Sequence, residues 1–429
     1  MNDNHDYIRW FRDASPYINA HRGKTFVFHL GGEAVSHPNF QNIIADISLL
    51  ASLGVRLVLV HGSAPQINQQ IEAKGLASDY VGEVRITTPD LLPLVLEATG
   101  KVRADIEARL SMGRPGAPQS ASRMTVVSGN FIKAKPLGIV DGVDYHHTGA
   151  VRKVNTEALR QQLDLGATVL LSHTGVSPSG EIFNVNSAEV ATEIAVALLA
   201  DKLIFFTGED GILDDQQQTI NELPVSEITP SEFSAYHPLR LAHNACTRGV
   251  DRCQIISFIT DGALLEELFT RDGSGTQVTR TSYEKIRPAT PDDISGIVDL
   301  IAPLEEQGIL VRRSRELLES EYDRFTVIER DGMIVSCAAL YPFENKAELA
   351  CLATHPDYRD NDRGELLMKE IETQARRRGF EALFVLTTHT VHWFRERGFR
   401  QIALDDLPAS RKSLYNYQRN SRLLEKPLS

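Results

Sequence analysis

Short apolar runs alternate with amphipathic stretches through the first half of the chain. Lys24-Thr-Phe-Val-Phe-His-Leu30 is mostly apolar and stops at Gly31-Gly32; Val55-Arg-Leu-Val-Leu-Val60 does the same and stops at His61-Gly62-Ser63. Apolar runs of this length closed by glycine predict buried strands ending in tight turns. Residues 40–53, 64–74, 155–163 and 187–199 carry apolar side chains at helical spacing, and 124–127, 168–172 and 202–207 are further short apolar runs. Strands alternating with helices predict βαβ units and an α/β fold with an open, mainly parallel sheet. Ahead of them Ile8, Trp10, Phe11, Tyr17 and Ile18 mark an N-terminal helix, with Pro16 expected to break it.

The pattern changes after Gly273-Ser-Gly-Thr276. Gln277 to Lys285 is polar and reads as a linker, and a new α/β unit begins with a strand up to Pro288 and a helix whose first turn carries Asp292 and Asp293. Phe325 to Cys337 predicts two strands around an Asp331-Gly332 turn. Lys346-Ala-Glu-Leu-Ala-Cys-Leu-Ala353 alternates as a strand does; a charged loop to Gly364 and a helix over 365–378 follow. The expected organisation is an N-terminal helix (1–20) used in oligomerisation, a first domain (21–280) and a second domain (281–429).

Length and charge limit the function classes. The 429 residues suffice for two or three domains at roughly 100–200 residues each. A net charge of -12 argues against nucleic acid as a partner, since that needs a basic surface. No apolar run reaches the ~20 residues of a membrane span, and the polar start, Met1 to Arg12, is no signal peptide. Cys246, Cys253, Cys337 and Cys351 form no C-x-x-C pair, so reduced thiols and a cytoplasmic location are expected, and no metal is expected.

Strand, charged loop with Arg and Gly, then helix is an anion-binding layout, because the free N–H groups at the helix start point at the ligand. Arg359, Asp362 and Gly364, followed by Ala382-Leu-Phe-Val-Leu386 and His392-Trp-Phe-Arg-Glu-Arg-Gly-Phe399, make this half similar to the GNAT acetyltransferases. Asp362 stands where that family has glycine. The resemblance implies acetyl-CoA as co-substrate, contacted by Cys351, Leu352, Ala353, Arg359, Asp362, Arg363, Gly364 and Glu365. It implies Glu348 on the fourth strand as general base, backbone N–H groups around Cys351 and Leu352 for the thioester oxygen, and no covalent role for Cys351. Thr387 and Tyr415 both remain open as proton donor to the leaving thiolate.

Val311-Arg-Arg-Ser314 and Tyr415-Asn-Tyr-Gln-Arg-Asn-Ser-Arg422 resemble segments of bacterial N-acetylglutamate synthases. That likeness implies L-glutamate as acetyl acceptor, its carboxylates met by Arg312, Arg419 and Ser421, with Leu310 and Cys351 beside them; bidentate arginine is the usual carboxylate partner.

In the first half, Leu30-Gly-Gly-Glu-Ala34, Val60-His-Gly-Ser-Ala-Pro-Gln-Ile67, Asn184-Val-Asn186, Thr207-Gly-Glu-Asp-Gly-Ile-Leu-Asp214 and Leu268-Phe-Thr-Arg-Asp-Gly-Ser-Gly-Thr276 resemble the ligand loops of the amino-acid kinase family in order. The family's lysine two residues before the Gly-Gly pair is His29 here, and Leu239 to Gly249 holds no lysine. Phosphoryl transfer needs such cations, so this domain is expected to be catalytically silent and regulatory. Similarity to arginine-inhibited acetylglutamate kinases implies L-arginine as effector at Tyr17, Gln254, Glu267, Gly273 and Gly275, with Gln254 in place of a family histidine, and a hexameric ring joined by the N-terminal helices. Two other readings stay open: an acetylglutamate kinase with an accessory domain, and a non-enzymatic arginine sensor.

Overall fold

The computed structural model describes residues 12, 14–112, 124–214, 216–270, 273–280, 284–330, 333–358, 363–416 and 421–428. Ile8, Trp10 and Phe11, the Asp331-Gly332 turn, and Arg359, Asp362 and Arg419 lie outside them. The chain divides into two compact units, Met1–Thr281 and Ser282–Ser429.

The first unit is built on an eight-stranded sheet in the order Glu222–Pro224, Thr276–Thr279, Arg252–Ser257, Lys202–Thr207, Thr25–Leu30, Arg56–His61, Thr168–Ser172, Val126–Val127. Neighbours run parallel except for the antiparallel pair Arg252–Ser257 and Thr276–Thr279. The central strands are buried on both faces, which is why they read as unbroken apolar runs rather than as alternation. Val27, Val58, Val60, Leu159, Ile194 and Ala242 pack on one face, under helices Thr156–Asp164, Ser187–Leu198 and Pro238–Thr247. Phe26, Phe28, Leu50, Val102, Ile106 and Leu264 pack on the other, under Phe40–Ser52, Leu92–Ser111 and Ala263–Phe269. A four-stranded sheet, Ile182–Asn184, Thr174–Val176, Ile132–Pro136 and Gly149–Val154, stands beside it.

Two sequence expectations change. Thr276–Thr279 belongs to the sheet, with Thr276 and Val278 fully buried, so the stretch from Gln277 is not linker at its start. Its polar composition misled because Gln254 and Gln277 face each other across the antiparallel pair. Pro16 lies inside the helical residues 14–21 and does not break them; a proline costs a helix about 3 kcal/mol, and the packing of Ala14, Tyr17 and Ile18 on the Phe26 face opposes that cost.

The second unit has a seven-stranded sheet, in the order Glu284–Pro288, Phe325–Arg330, Met333–Phe343, Lys346–Thr354, Ala382–Thr387, Arg422–Pro427, Arg400–Gln401. In chain order Lys346–Thr354 is the fourth strand and Ala382–Thr387 the fifth. They are the parallel pair in an otherwise antiparallel sheet, and they pair over three rungs: Lys346 with Ala382, Ala347 with Leu383, Glu348 with Phe384. Beyond Glu348 the two strands have no shared ladder, so the sheet opens into a wedge.

Candidate functional sites

The wedge in the second unit begins at the rung holding Glu348. On its other side the fourth strand carries a β-bulge. Ala339 pairs with Ala350 and Cys337 with Ala353, so Cys351 and Leu352 stand opposite Ala338. Cys351 takes up the extra residue with φ 51, a left-handed conformation rare for a residue with a side chain. From Leu349 onward the strand thus shows an edge with no neighbour on the wedge side and a distorted ladder on the other. Such an edge can pair with the amides of an extended ligand as another strand would.

Glu348 is buried, and both carboxylate oxygens accept from Arg411, Nε at 2.5 Å and Nη2 at 3.2 Å. A carboxylate has about four lone-pair sites, so this fork orients Glu348 and leaves acceptor capacity for a substrate proton or a water. Cys351 is buried and its thiol is pushed up to about 12 by burial, outweighing the opposing pull of Arg313. It is therefore a neutral thiol, not a nucleophile.

The two candidate proton donors engage adjacent residues at the start of the last long strand. Thr387 pairs across the ladder with Arg422, and Tyr415 Oη donates to the Ser421 carbonyl at 3.0 Å. Thr387 Oγ1 is tied to Thr390 Oγ1 at 2.8 Å. Leu310, Tyr322 and Tyr341 pack against the core cluster that contains Cys351. Arg312 is exposed. The arginine of this segment that turns inward is Arg313, whose guanidinium lies 6.0 Å from the Tyr341 ring centre. Burial alone would lower its pKa; Cys351, Tyr341 and Glu348 more than offset that, so Arg313 stays a cation. The sequence offered no way to choose between adjacent arginines in an irregular segment. Arg313, facing the strand that carries Glu348, is the residue missed.

Helix Arg363–Arg377 starts next to the wedge, with Gly364 and Glu365 in its first turn. The Arg363 guanidinium is buried, covers the Tyr358 ring at 4.7 Å and donates to the Tyr358 carbonyl at 3.1 Å. Glu365 likewise engages Lys369 at 2.8 Å and Arg397 at 3.2 Å through its side chain.

In the first unit the carboxyl ends of the parallel strands open onto a cavity of about 380 Å³ lined by His29, Gly31, Gly32, Gly62, Ser63, Arg85, His173 and Asn186. A Cβ on Gly32 would lie 2.5 Å from Pro65 Cδ and 2.7 Å from the Ala64 nitrogen, so the two glycine loops can meet only without one. His29, at the position of the kinase lysine, is lowered to about 4 by burial and hydrogen-bonds Ser187 Oγ at 2.9 Å. It carries no charge at neutral pH.

Of the predicted effector residues, Glu267, Gly273 and Gly275 meet elsewhere in this unit. Glu267 Oε2 accepts the N–H groups of Ser274 at 3.0 Å and Gly275 at 3.2 Å. A Cβ on Gly275 would sit 2.3 Å from the Ile255 carbonyl oxygen. Burial raises the Glu267 carboxyl against the pull of Ser274 N–H and Lys202. Residues 14–21 close over the same helix, Ala263–Phe269: Tyr17 joins its core and His21 bonds the Leu268 carbonyl at 2.8 Å. Gln254 is fully buried, and its Oε1 has no partner among the described residues. Lys202, buried beside Phe26, is a second residue the sequence reading missed; it hid in an apolar strand. Among the described residues no group of three His, Cys, Asp or Glu could hold a metal, and no helix is long and apolar enough to cross a membrane.

Residues 24–257 match the Amino acid kinase family and residues 295–399 the Acetyltransferase (GNAT) family. An amino-acid acetyltransferase of Ectopseudomonas mendocina is 52% identical over 99% of this chain and 100% of its own. The crystal structure of N-acetylglutamate synthase from Neisseria gonorrhoeae complexed with coenzyme A and L-arginine matches with TM-score 0.89 and 38% identity, covering 98% of this chain and 99% of that one. A second structure of the gonococcal enzyme, complexed with coenzyme A and N-acetyl-glutamate, matches with TM-score 0.62 at 39% identity over 99% of both chains. Matched over almost its whole length by such relatives, the chain belongs to the amino-acid acetyltransferase family, an amino acid kinase-like unit joined to a GNAT acetyltransferase unit with acetyl-CoA as co-substrate.

Proposed function

We propose that this chain transfers the acetyl group of acetyl-CoA to the α-amine of L-glutamate, giving N-acetyl-L-glutamate and CoA, the first step of arginine biosynthesis, and that L-arginine bound by the first unit regulates it. The observation that carries the catalytic half is the placement of Glu348 on the last shared rung of the fourth and fifth strands, at the mouth of the wedge. The pantetheine arm lies along the unpaired edge after Leu349. Backbone N–H groups near Cys351 and Leu352 polarise the thioester oxygen. Glu348, oriented by Arg411, takes the proton of the attacking amine directly or through water. Arg313, with Arg312 and Arg419, holds the substrate carboxylates, and Thr387 or Tyr415 protonates the departing thiolate.

In the first unit, a guanidinium reaching Glu267 would relieve the cost of burying that carboxylate, and Lys202 offers a cation to the amino acid's own carboxylate. Tyr17 belongs both to this site and to the N-terminal helix, through which six copies would form a ring. The gonococcal relative crystallised with L-arginine supports this assignment. The neutral His29 supports a silent kinase cleft.

The test is release of free thiol from acetyl-CoA by the full-length protein, with L-glutamate and other amino acids, with and without L-arginine. Glutamate-dependent CoA release with N-acetylglutamate formed, altered by arginine, is expected. Thiol release that ignores glutamate, or a covalent acetyl-enzyme isolated without it, would overturn the scheme.

A further inference from the structure

The phosphate end of acetyl-CoA carries a pyrophosphate and a 3′-phosphate, more negative charge than one helix N-terminus can meet. The segment after the fifth strand supplies what is missing. Helix Val391–Glu396 packs on the first turn of Arg363–Arg377, and a Cβ on Gly364 would lie 3.3 Å from Trp393 Cζ2. Arg397 sits over Trp393, its guanidinium carbon 4.1 Å from the ring centre. It donates to the Trp393 carbonyl at 3.1 Å and to Glu365 Oε2 at 3.2 Å, and Glu396 lies 3.5 Å away but largely exposed. Its Nε is buried with no acceptor among the described residues, and so is the hydroxyl of Thr388 on the same segment. A buried, unpaired donor costs about 1–3 kcal/mol, and two on one short segment beside a phosphate-binding helix start point to a ligand that satisfies them. The stacking and the two side bonds fix the guanidinium before the ligand arrives, lowering the entropy lost on binding.

We propose that Arg397, held on Trp393, is a second anchor for the phosphates of acetyl-CoA. This rests on the reading that the start of Arg363–Arg377 receives the pyrophosphate. The carboxylates of Glu365 and Glu396 are offset by Lys369, which bonds Glu365 at 2.8 Å, by Arg397 itself, and by the positive end of the helix. A guanidinium contact to phosphate is charge-assisted and directional.

The experiment is a comparison of acetyl-CoA, acetyl-dephospho-CoA and acetyl-pantetheine as donors for the full-length protein, the Arg397→Met variant and the conservative Arg397→Lys variant. Loss of one charge-assisted contact should raise the Michaelis constant for acetyl-CoA about 10- to 100-fold in Arg397→Met. The turnover number and the constant for glutamate should hold, and Arg397→Lys should recover part of the loss. Acetyl-pantetheine, which has no phosphate, should be used equally well by all three proteins, and this also shows that the variants fold. If acetyl-dephospho-CoA escapes the effect, the contact is to the 3′-phosphate; if it shares it, to the pyrophosphate. Arg397→Met losing the same factor on acetyl-pantetheine, or losing nothing on acetyl-CoA, overturns the proposal. A wild-type protein with no preference for acetyl-CoA over acetyl-pantetheine would instead remove the phosphate-site reading beneath it.

Discussion

Lowering the pH from 7 to 5 should destabilise the first unit through two histidines that fold without their protons. His61 and His173 are buried, His173 at the wall of the cleft and His61 behind it, their rings 6.4 Å apart. His61 is lowered to about 3 by burial, with His173 adding to the effect, and His173 to about 4 by burial. Their nitrogens are committed to neutral partners: His61 Nε2 to Ser172 Oγ at 2.9 Å, His173 Nε2 to Ser63 Oγ at 2.6 Å, His173 Nδ1 to Asn184 Oδ1 at 3.0 Å. In the unfolded chain both titrate near 6.5, so below that pH the unfolded state binds more protons and stability falls with pH. The contribution is present above pH 6.5 and is lost as the pH drops from there toward 4 for His173 and toward 3 for His61. At pH 5 each histidine costs about 2 kcal/mol relative to pH 7, about 4 for the pair. That is a large share of the roughly 5–15 kcal/mol that holds a domain together. His29 borders the open cleft, so solvent trims its share. The assay is urea unfolding followed by circular dichroism at pH 7 and pH 5, for the wild type and for His61→Gln. Carboxylates titrate alike in both, so the pH-induced loss should be smaller in the variant by about 2 kcal/mol. Equal losses in the two proteins, or a resonance assigned to the His61 or His173 imidazole titrating near 6.5 in the folded wild type, would refute the reasoning.

Glu348→Gln should lower turnover by about 10²–10⁴ with little change in either Michaelis constant; near-normal turnover at neutral pH would remove Glu348 from the mechanism. Arg313→Ala should raise the Michaelis constant for glutamate about tenfold or more without a matching change for acetyl-CoA, and by more than Arg312→Ala, because Arg313 faces Glu348 and Cys351 while Arg312 is exposed; equal effects on both substrates would mean that Arg313 does something else. Glu267→Ala should abolish the arginine response in the thiol-release assay and leave uninhibited turnover intact, and a response that survives would place the effector elsewhere.

Much of the architecture was legible because it rests on one-dimensional signals. Strands buried on both faces read as apolar runs, glycines mark the turns where backbones must meet, and the alternation with helical stripes names the α/β class. Helix Leu92–Ser111 escaped because Pro93 and Gly100 interrupt its stripe, although Leu94, Ala98, Val102 and Ile106 form a buried face. The strand at Thr276 escaped because its glutamine pairs with another glutamine rather than facing water.

By itself the sequence determined the two α/β units, the glycine-containing start of the helix at Gly364, the carboxylate at Glu348 on the fourth strand and the histidine at position 29. These depend on residue type and local order, which a chain carries before it folds. Only the tertiary structure decided which of those residues meet. It opened the wedge at Glu348, closed the Arg411 fork on it, turned Arg313 inward, laid Arg363 over Tyr358, and placed Lys202 near Glu267. Strand divergence, side-chain direction and the approach of groups far apart in the chain are set by packing and ladder registry, and neither leaves a periodic mark in the residues themselves.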